Sequence, residues 1–163
     1  MRRLRLAIIV LGAAVVLGAG AFALPATRTA RASAVLDAPV ARVFAVVSDA
    51  AGQAGWRRDV KAVEMAADGT SWREHLAHGG SVDVRLVTRD PGRRFEIAFA
   101  SERGFSGTWT GDFVEDSGRT RLDIVETVTV PGVFNRVVGR LIGMPDAHVA
   151  AYLEDLEKAL AAP

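Results

Sequence analysis

A chain of 163 residues, half of them apolar, is sized for one domain with a real core. It has no cysteine, which excludes a disulfide framework, a lipid-modified cysteine and any thiolate chemistry. Three of the 20 basic side chains are Arg2, Arg3 and Arg5; without them 17 stand against 19 acidic ones, a balance of about −2 that argues against nucleic acid as a partner.

Behind those arginines an uncharged apolar stretch runs from Leu6 to Leu24, about the length of a bilayer span. Residues 1–25 therefore read as a single-pass membrane anchor or an uncleaved signal segment. Arginines before the span outnumber Arg28 and Arg31 after it, which puts the N-terminus in the cytoplasm and the domain outside. Ala21-Phe22-Ala23 has the small-x-small form that a signal peptidase accepts, so retention in the cell membrane and cleavage with secretion both stay open. Residues 26–31 read as a linker and residues 32–163 as the domain.

Ala32 to Leu36 is predicted as a first strand, and Asp37-Ala38-Pro39 supplies a capping side chain and a proline suited to a first helical turn. Val40, Val43, Phe44 and Val47 then form one helical stripe that ends near Ser48-Asp49. Six β-patterned segments follow between Val60 and Val130. Asp68-Gly69, Gly79-Gly80, Asp90-Pro91-Gly92, Arg103-Gly104 and Asp116-Ser117-Gly118 punctuate them at hairpin spacing, which predicts an antiparallel meander. Alternation puts Trp72/Glu74/Leu76, Val82/Val84/Leu86, Phe95/Ile97/Phe99, Phe105/Gly107/Trp109 and Leu122/Ile124/Glu126/Val128 on one apolar face. Arg73, Asp83, Arg85, Arg94, Glu96, Arg121 and Asp123 fall on the wet face. A helical stripe from Val133 to Leu160 closes the chain, broken at Gly143-Met144-Pro145, with Asp146 expected to recap a second part that buries Val149, Tyr152, Leu153, Leu156 and Leu160.

This order, with Asp37-Ala38-Pro39, Val43-Phe44, Ser48-Asp49 and Trp56 at its opening, Gly107-Thr108-Trp109 in its sheet and Tyr152-Leu153, Leu156-Glu157 and Leu160 at its close, resembles the START-like (SRPBCC, polyketide cyclase/dehydrase-like) superfamily. The resemblance covers about Ala32 to Leu160. It implies an α+β helix-grip fold: a seven-stranded curved antiparallel sheet wrapped around a long, Pro-kinked C-terminal helix, here preceded by one transmembrane helix. It also implies a cavity between sheet and helix that holds lipids, polyketides or other small hydrophobic molecules. Such motifs specify fold well and activity poorly.

Glu74 and Glu126 are the two carboxylates that alternation places on the apolar face, where desolvation would suit proton transfer or a ligand hydroxyl, unless a slip in register expels them into water. Trp72, Phe95, Phe99, Trp109 and Tyr152 offer flat apolar surface either to a ligand or to the core. Trp56 reads as a cavity guard, a contact with the membrane interface or an edge packer, and Arg57, Arg58 and Lys61 as a solvated basic patch rather than a site for anionic headgroups beside the anchor. His75 and His78, three apart on a strand, make a poor metal pair, and His148 reads as a solvated helix residue; no metal and no cofactor are expected. No Gly-x-Ser-x-Gly elbow or phosphate loop is present. The sequence reading is thus a membrane-anchored carrier of a small hydrophobic ligand held by Trp72, Glu74, Phe95, Phe99, Trp109, Glu126 and Tyr152. The alternatives are a cyclase, aromatase or dehydratase-like enzyme using Glu74 or Glu126 as general acid/base, and a filled domain acting only through its surface.

Overall fold

The computed structural model describes residues 25–132 and 145–162. The predicted anchor lies outside them, as does the part of the predicted terminal helix before Pro145. Among the described residues no helix is long and apolar enough to cross a membrane.

Seven strands form one antiparallel sheet: β1 (Thr27–Leu36), β2 (Val60–Met65), β3 (Ser71–Leu76), β4 (Ser81–Asp90), β5 (Arg94–Ser101), β6 (Ser106–Asp116) and β7 (Arg119–Thr129). Their spatial order is β1-β7-β6-β5-β4-β3-β2, so β2 to β7 are a pure meander and β1 pairs with the last strand. Helix α1 (Val40–Ser48) and a 3-10 turn (Ala51–Gly55) connect β1 to β2, and helix α2 (Asp146–Ala161) closes the chain. A curved antiparallel sheet with a C-terminal helix is the helix-grip arrangement.

The hairpins fall where the glycines predicted them. Between β6 and β7 the turn needs two left-handed residues, and Ser117 (φ 54) and Gly118 (φ 84) supply them, the backbone of a tight two-residue hairpin. Register is continuous around both glutamates, with Glu74 opposite Val63 and Val82, and Glu126 opposite Ala30 and Trp109. The bulges fall elsewhere, between Val60 and Ala62 and between Leu86 and Thr88, so neither carboxylate is expelled from the inner face.

Three sequence expectations need correction. Residues 26–31 are not a linker, because β1 starts at Thr27 and pairs along its whole length with β7, from Thr27↔Thr129 to Leu36↔Thr120. Its inner positions are mostly alanines, too small to register as an apolar alternation beside the threonines. Asp37 does not cap α1, whose N-cap is Pro39 and carries no side-chain cap; the nearby anchor is instead the buried Thr120 hydroxyl, which donates to the Ala38 carbonyl at 2.7 Å. Asp146 does not cap α2 either: it lies in the first turn and pairs with Arg28 of β1 at 3.1 Å, while the Pro145 carbonyl accepts from the His148 and Val149 amides.

One part of the core lies between α1 and the sheet. Val43, Phe44 and Val47 of α1 are buried with Leu36, Phe113 and Leu122, and Phe44 meets Phe113 and Phe95 edge-on at ring separations of 5.2 and 6.4 Å. Burying such side chains contributes about 1.5–3 kcal/mol each. On the opposite face the charges pair across strands, Arg73 with Asp83 at 2.7 Å and Arg94 with Asp112 at 2.7 Å, as the alternation requires.

Candidate functional site

The sheet and α2 leave a cavity of about 360 Å³ between them. That lies near the lower end of the range for small-molecule sites. Val82, Val84, Phe95, Ile97, Phe99, Phe105, Trp109 and Val128 supply much of its apolar wall, all from inward positions of β4 to β7 or the turn before β6. Two glycines of β6 leave room for aromatic rings to approach that strand closely. A Cβ at Gly107 would strike the Thr127 carbonyl and lie 2.7 Å from Phe99 Cζ, and one at Gly111 would lie 2.7 Å from Trp109 Cη2. Tyr152 comes down from α2 with its ring 5.3 Å from Trp109 and 5.2 Å from Trp56.

A chain of charges crosses one side of this space. Arg57 donates to both Glu74 oxygens at 3.1 and 3.2 Å, to both Asp59 oxygens at 2.7 and 3.1 Å, and to the Gln53 side-chain oxygen at 2.8 Å. Its guanidinium carbon lies 5.8 Å from the Tyr152 ring centroid. Glu74 accepts a further bond from the Trp72 indole at 3.1 Å. His148, on the first turns of α2, lies 2.9 Å from Glu126 through Nδ1 and 3.4 Å from Asp59 through Nε2. The cluster therefore holds three carboxylates and two basic side chains, with Glu74 and Glu126 each 4% exposed.

Burial by itself would lower the His148 imidazole, but the bonds to Asp59 and Glu126 outweigh it and raise its pKa to about 9, so it is cationic at neutral pH. Burial likewise works to raise Asp59, yet His148 and Arg57 hold it well below the usual carboxylate range. Burial pushes the Tyr152 phenol up, with Arg57 opposing and Glu74 and Asp59 adding to the rise, so it stays un-ionised. Neither glutamate stands alone in apolar surroundings: each faces its own cation.

Of the residues singled out from the sequence, Glu74, Phe95, Phe99, Trp109, Glu126 and Tyr152 line the cavity. Trp72 does not. It is buried behind Glu74 and orients that carboxylate through its indole N–H, because the first inward position of β3 lies under the core rather than the hollow. Trp56 packs against Tyr152. The basic patch is also corrected: Arg57 turns inward, whereas Arg58 reaches α2, bonding Asp155 through both its backbone amide and its guanidinium and pairing with Glu154 at 2.7 Å. Only Lys61 of the three is a plain exposed cation position. His148 is half-buried between two carboxylates rather than solvated, and His78 lies at the cavity's rim while His75 pairs with Glu64 at 3.0 Å.

Sequence reasoning missed Gln53, Arg57, Asp59 and His148. One signal was available: two carboxylates on an apolar face require counter-charges, and His148, Tyr152 and Asp155 share a helical stripe at i, i+4 and i+7. Nothing comparable marked Gln53, in the single 3-10 turn, or Asp59, in the turn before β2, because neither segment is long enough to show a periodicity.

Similarity to known proteins agrees with this geometry. In fold the chain is similar to the Zhui aromatase/cyclase from Streptomyces sp. R1128, with a TM-score of 0.63 at 18% identity over 82% of this chain and 93% of that one. A START superfamily protein from Mycobacterium smegmatis matches at a TM-score of 0.62 and 17% identity, over 81% and 96%. DynU16, from the dynemicin biosynthetic locus, matches at 0.60 and 20% identity over 81% of this chain, which spans only 46% of that longer protein. No curated protein matches the sequence. The profile of the family described as polyketide cyclase / dehydrase and lipid transport matches residues 27–161, from the first residue of β1 to the last of α2, and the chain belongs to that family.

Proposed function

We propose that this protein is a membrane-tethered carrier of a small hydrophobic ligand, held in the cavity between the sheet and α2 outside the cytoplasm. The observation that carries the reading is the cavity itself: about 360 Å³ of mostly apolar wall with polar groups gathered on one side. Apolar contact provides affinity there, and the few polar groups fix orientation. The tether is the apolar stretch Leu6 to Leu24. Its attachment point supports the idea. Ala26 accepts from the Val130 amide, and Thr27 pairs with Thr129, which pairs with Ser106, so the N-terminal stretch joins the end of the sheet where the turns bearing His78, Gly79, Arg103 and Phe105 border the cavity. A tether at that end holds the cavity's rim close to the bilayer from which a lipid-like ligand would come.

The test is organic extraction of the full chain purified from its native membrane, followed by mass spectrometry. One reproducible compound near one-to-one stoichiometry is expected; an empty extract together with no binding of hydrophobic probes would overturn the reading. A second reading, a cyclase, aromatase or dehydratase-like enzyme, is favoured by Glu74 and Glu126 both lining the cavity. Glu74→Gln with Glu126→Gln separates the two, because a carrier keeps much of its ligand affinity and an enzyme loses turnover.

A further inference from the structure

Resting on the carrier reading, we infer that the Tyr152 hydroxyl is the anchoring group of the cavity, and that the ligand it holds is an uncharged molecule bearing an oxygen acceptor such as a ketone or ester. Tyr152 is 7% exposed and lines the cavity. Its side chain is rooted in α2 and its ring reaches Trp109 of β6 at 5.3 Å, so the hydroxyl, the end of the ring farthest from the helix, stands between helix and sheet. That hydroxyl makes no hydrogen bond among the described residues. Nor is it sealed: among the described residues, the unpartnered polar side-chain atoms that no water-sized sphere can reach are His75 Nε2 and Trp109 Nε1. A buried tyrosine thus presents a hydroxyl that is accessible and unused. Buried hydroxyls ordinarily find a partner, because leaving one without costs about 1–3 kcal/mol.

What the ligand must supply follows from the groups around that hydroxyl. Burial keeps the phenol un-ionised, so it has a proton to donate. Acceptors are plentiful in the lining, as the carboxylates of Asp59, Glu74 and Glu126, whereas the donors are engaged. Each side-chain nitrogen of Arg57 donates to Glu74, Asp59 or Gln53, and both ring nitrogens of His148 face carboxylates. The Gln53 amide donates to the Val47 carbonyl at 3.0 Å. Among the lining residues inside the rim, Tyr152 is therefore the donor left for a ligand, and an acceptor is what it lacks. Charge is disfavoured in the same place. Three carboxylates outnumber the two cations there, so a carboxylate or phosphate ligand would add negative charge to a desolvated region that already carries an excess. Arg103 is the remaining cation of the lining; its guanidinium donates to the His78 and Gly79 carbonyls at the rim. An anion held by Arg103 is the competing outcome.

Tyr152 is the single tyrosine of the chain, so tyrosine labelled with 13C at Cζ gives one signal, and that signal reports this hydroxyl. The experiment places the labelled full chain in lipid nanodiscs, with empty nanodiscs controlling for partition, and adds three probes of one shape: 2-ethylnaphthalene, 2-acetonaphthone and 2-naphthoate. The ketone is expected to move the Cζ signal further than the hydrocarbon does, and to bind about three- to tenfold tighter than it, the worth of one net hydrogen bond. Tyr152→Phe removes the oxygen alone and should abolish that advantage while retaining binding of the hydrocarbon. Should the variant fail to fold, the Cζ signal of the unaltered protein still decides. Equal affinities with no extra shift from the ketone, equal weakening of ketone and hydrocarbon in the variant, or tightest binding by naphthoate would overturn the inference and leave the carrier reading standing; failure of all three probes to bind would remove both.

Discussion

Under α1 the interior is aromatic and closed, whereas under α2 it is open and charged. At the first end Phe44 meets Phe113 and Phe95 edge-on, with Leu36, Val43 and Leu122 fully enclosed around them. At the second, Arg57, Asp59, Glu74, Glu126 and His148 adjoin about 360 Å³ of unfilled space. Strands β5, β6 and β7 run under both ends, so strand order alone does not account for the contrast. Buried ion pairs seldom stabilise more than apolar residues of the same volume would, and a void forfeits dispersion contacts. An interior that keeps both has traded stability for a site, and Phe95, which touches Phe44 and also lines the cavity, marks the seam.

The sharpest way to break this contrast is Phe44→Ala. At the closed end it should cost about 3–5 kcal/mol, read from the urea midpoint, and leave ligand bound per folded molecule unchanged. A loss below about 1 kcal/mol would mean that this end is no better packed than the other.

At the open end, Arg57→Met strands Glu74 without its cation, leaves Asp59 with His148 alone, and should cost about 3 kcal/mol, much of it recovered when Glu74→Gln is added. Equal stability of the single and double variants would show that the carboxylates are solvated rather than paired. Because the ion pairs belong to the open end alone, neither change should alter the packing around Phe113.

The smallest effect concerns pH. His148 is raised from its ordinary 6.5 to about 9 by Asp59 and Glu126 against the pull of burial, so the folded protein keeps a proton that the unfolded chain releases between those values. The resulting stabilisation is fully present below pH 6.5 and is lost as pH rises through 9. With about a third of the side chain in solvent, screening keeps the effect modest. Melting temperature should therefore decline from pH 6.5 to 9.5, and His148→Gln should flatten the decline; an unchanged slope in the variant would assign it to other groups.

How far the sequence could be read varies along the chain in the same way. Strands β3 to β7 were legible because large residues alternate strictly and glycines mark each turn, and the inward positions of Glu74 and Glu126 follow from that alternation. Strand β1 was legible only from Ala32, since its inner residues are mostly alanine. The anchor expected at Leu6 to Leu24 lies outside the described residues and stays a reading of hydropathy and charge.

By itself, then, the sequence determined the meander, the inner and outer faces and the terminal stripe, because these depend on periodicities of two and 3.6 residues that local backbone geometry imposes. Only the tertiary structure decided which charges meet. Arg57 and Arg58 are neighbours in the chain, yet one enters the cavity toward Glu74 and the other binds Asp155, 97 positions away. His148 finds Glu126 and Asp59 only once α2 lies across the sheet. Pairings between irregular backbone and a distant helix carry no periodic trace, because Coulomb attraction and desolvation act through space, and folding alone brings those partners within reach.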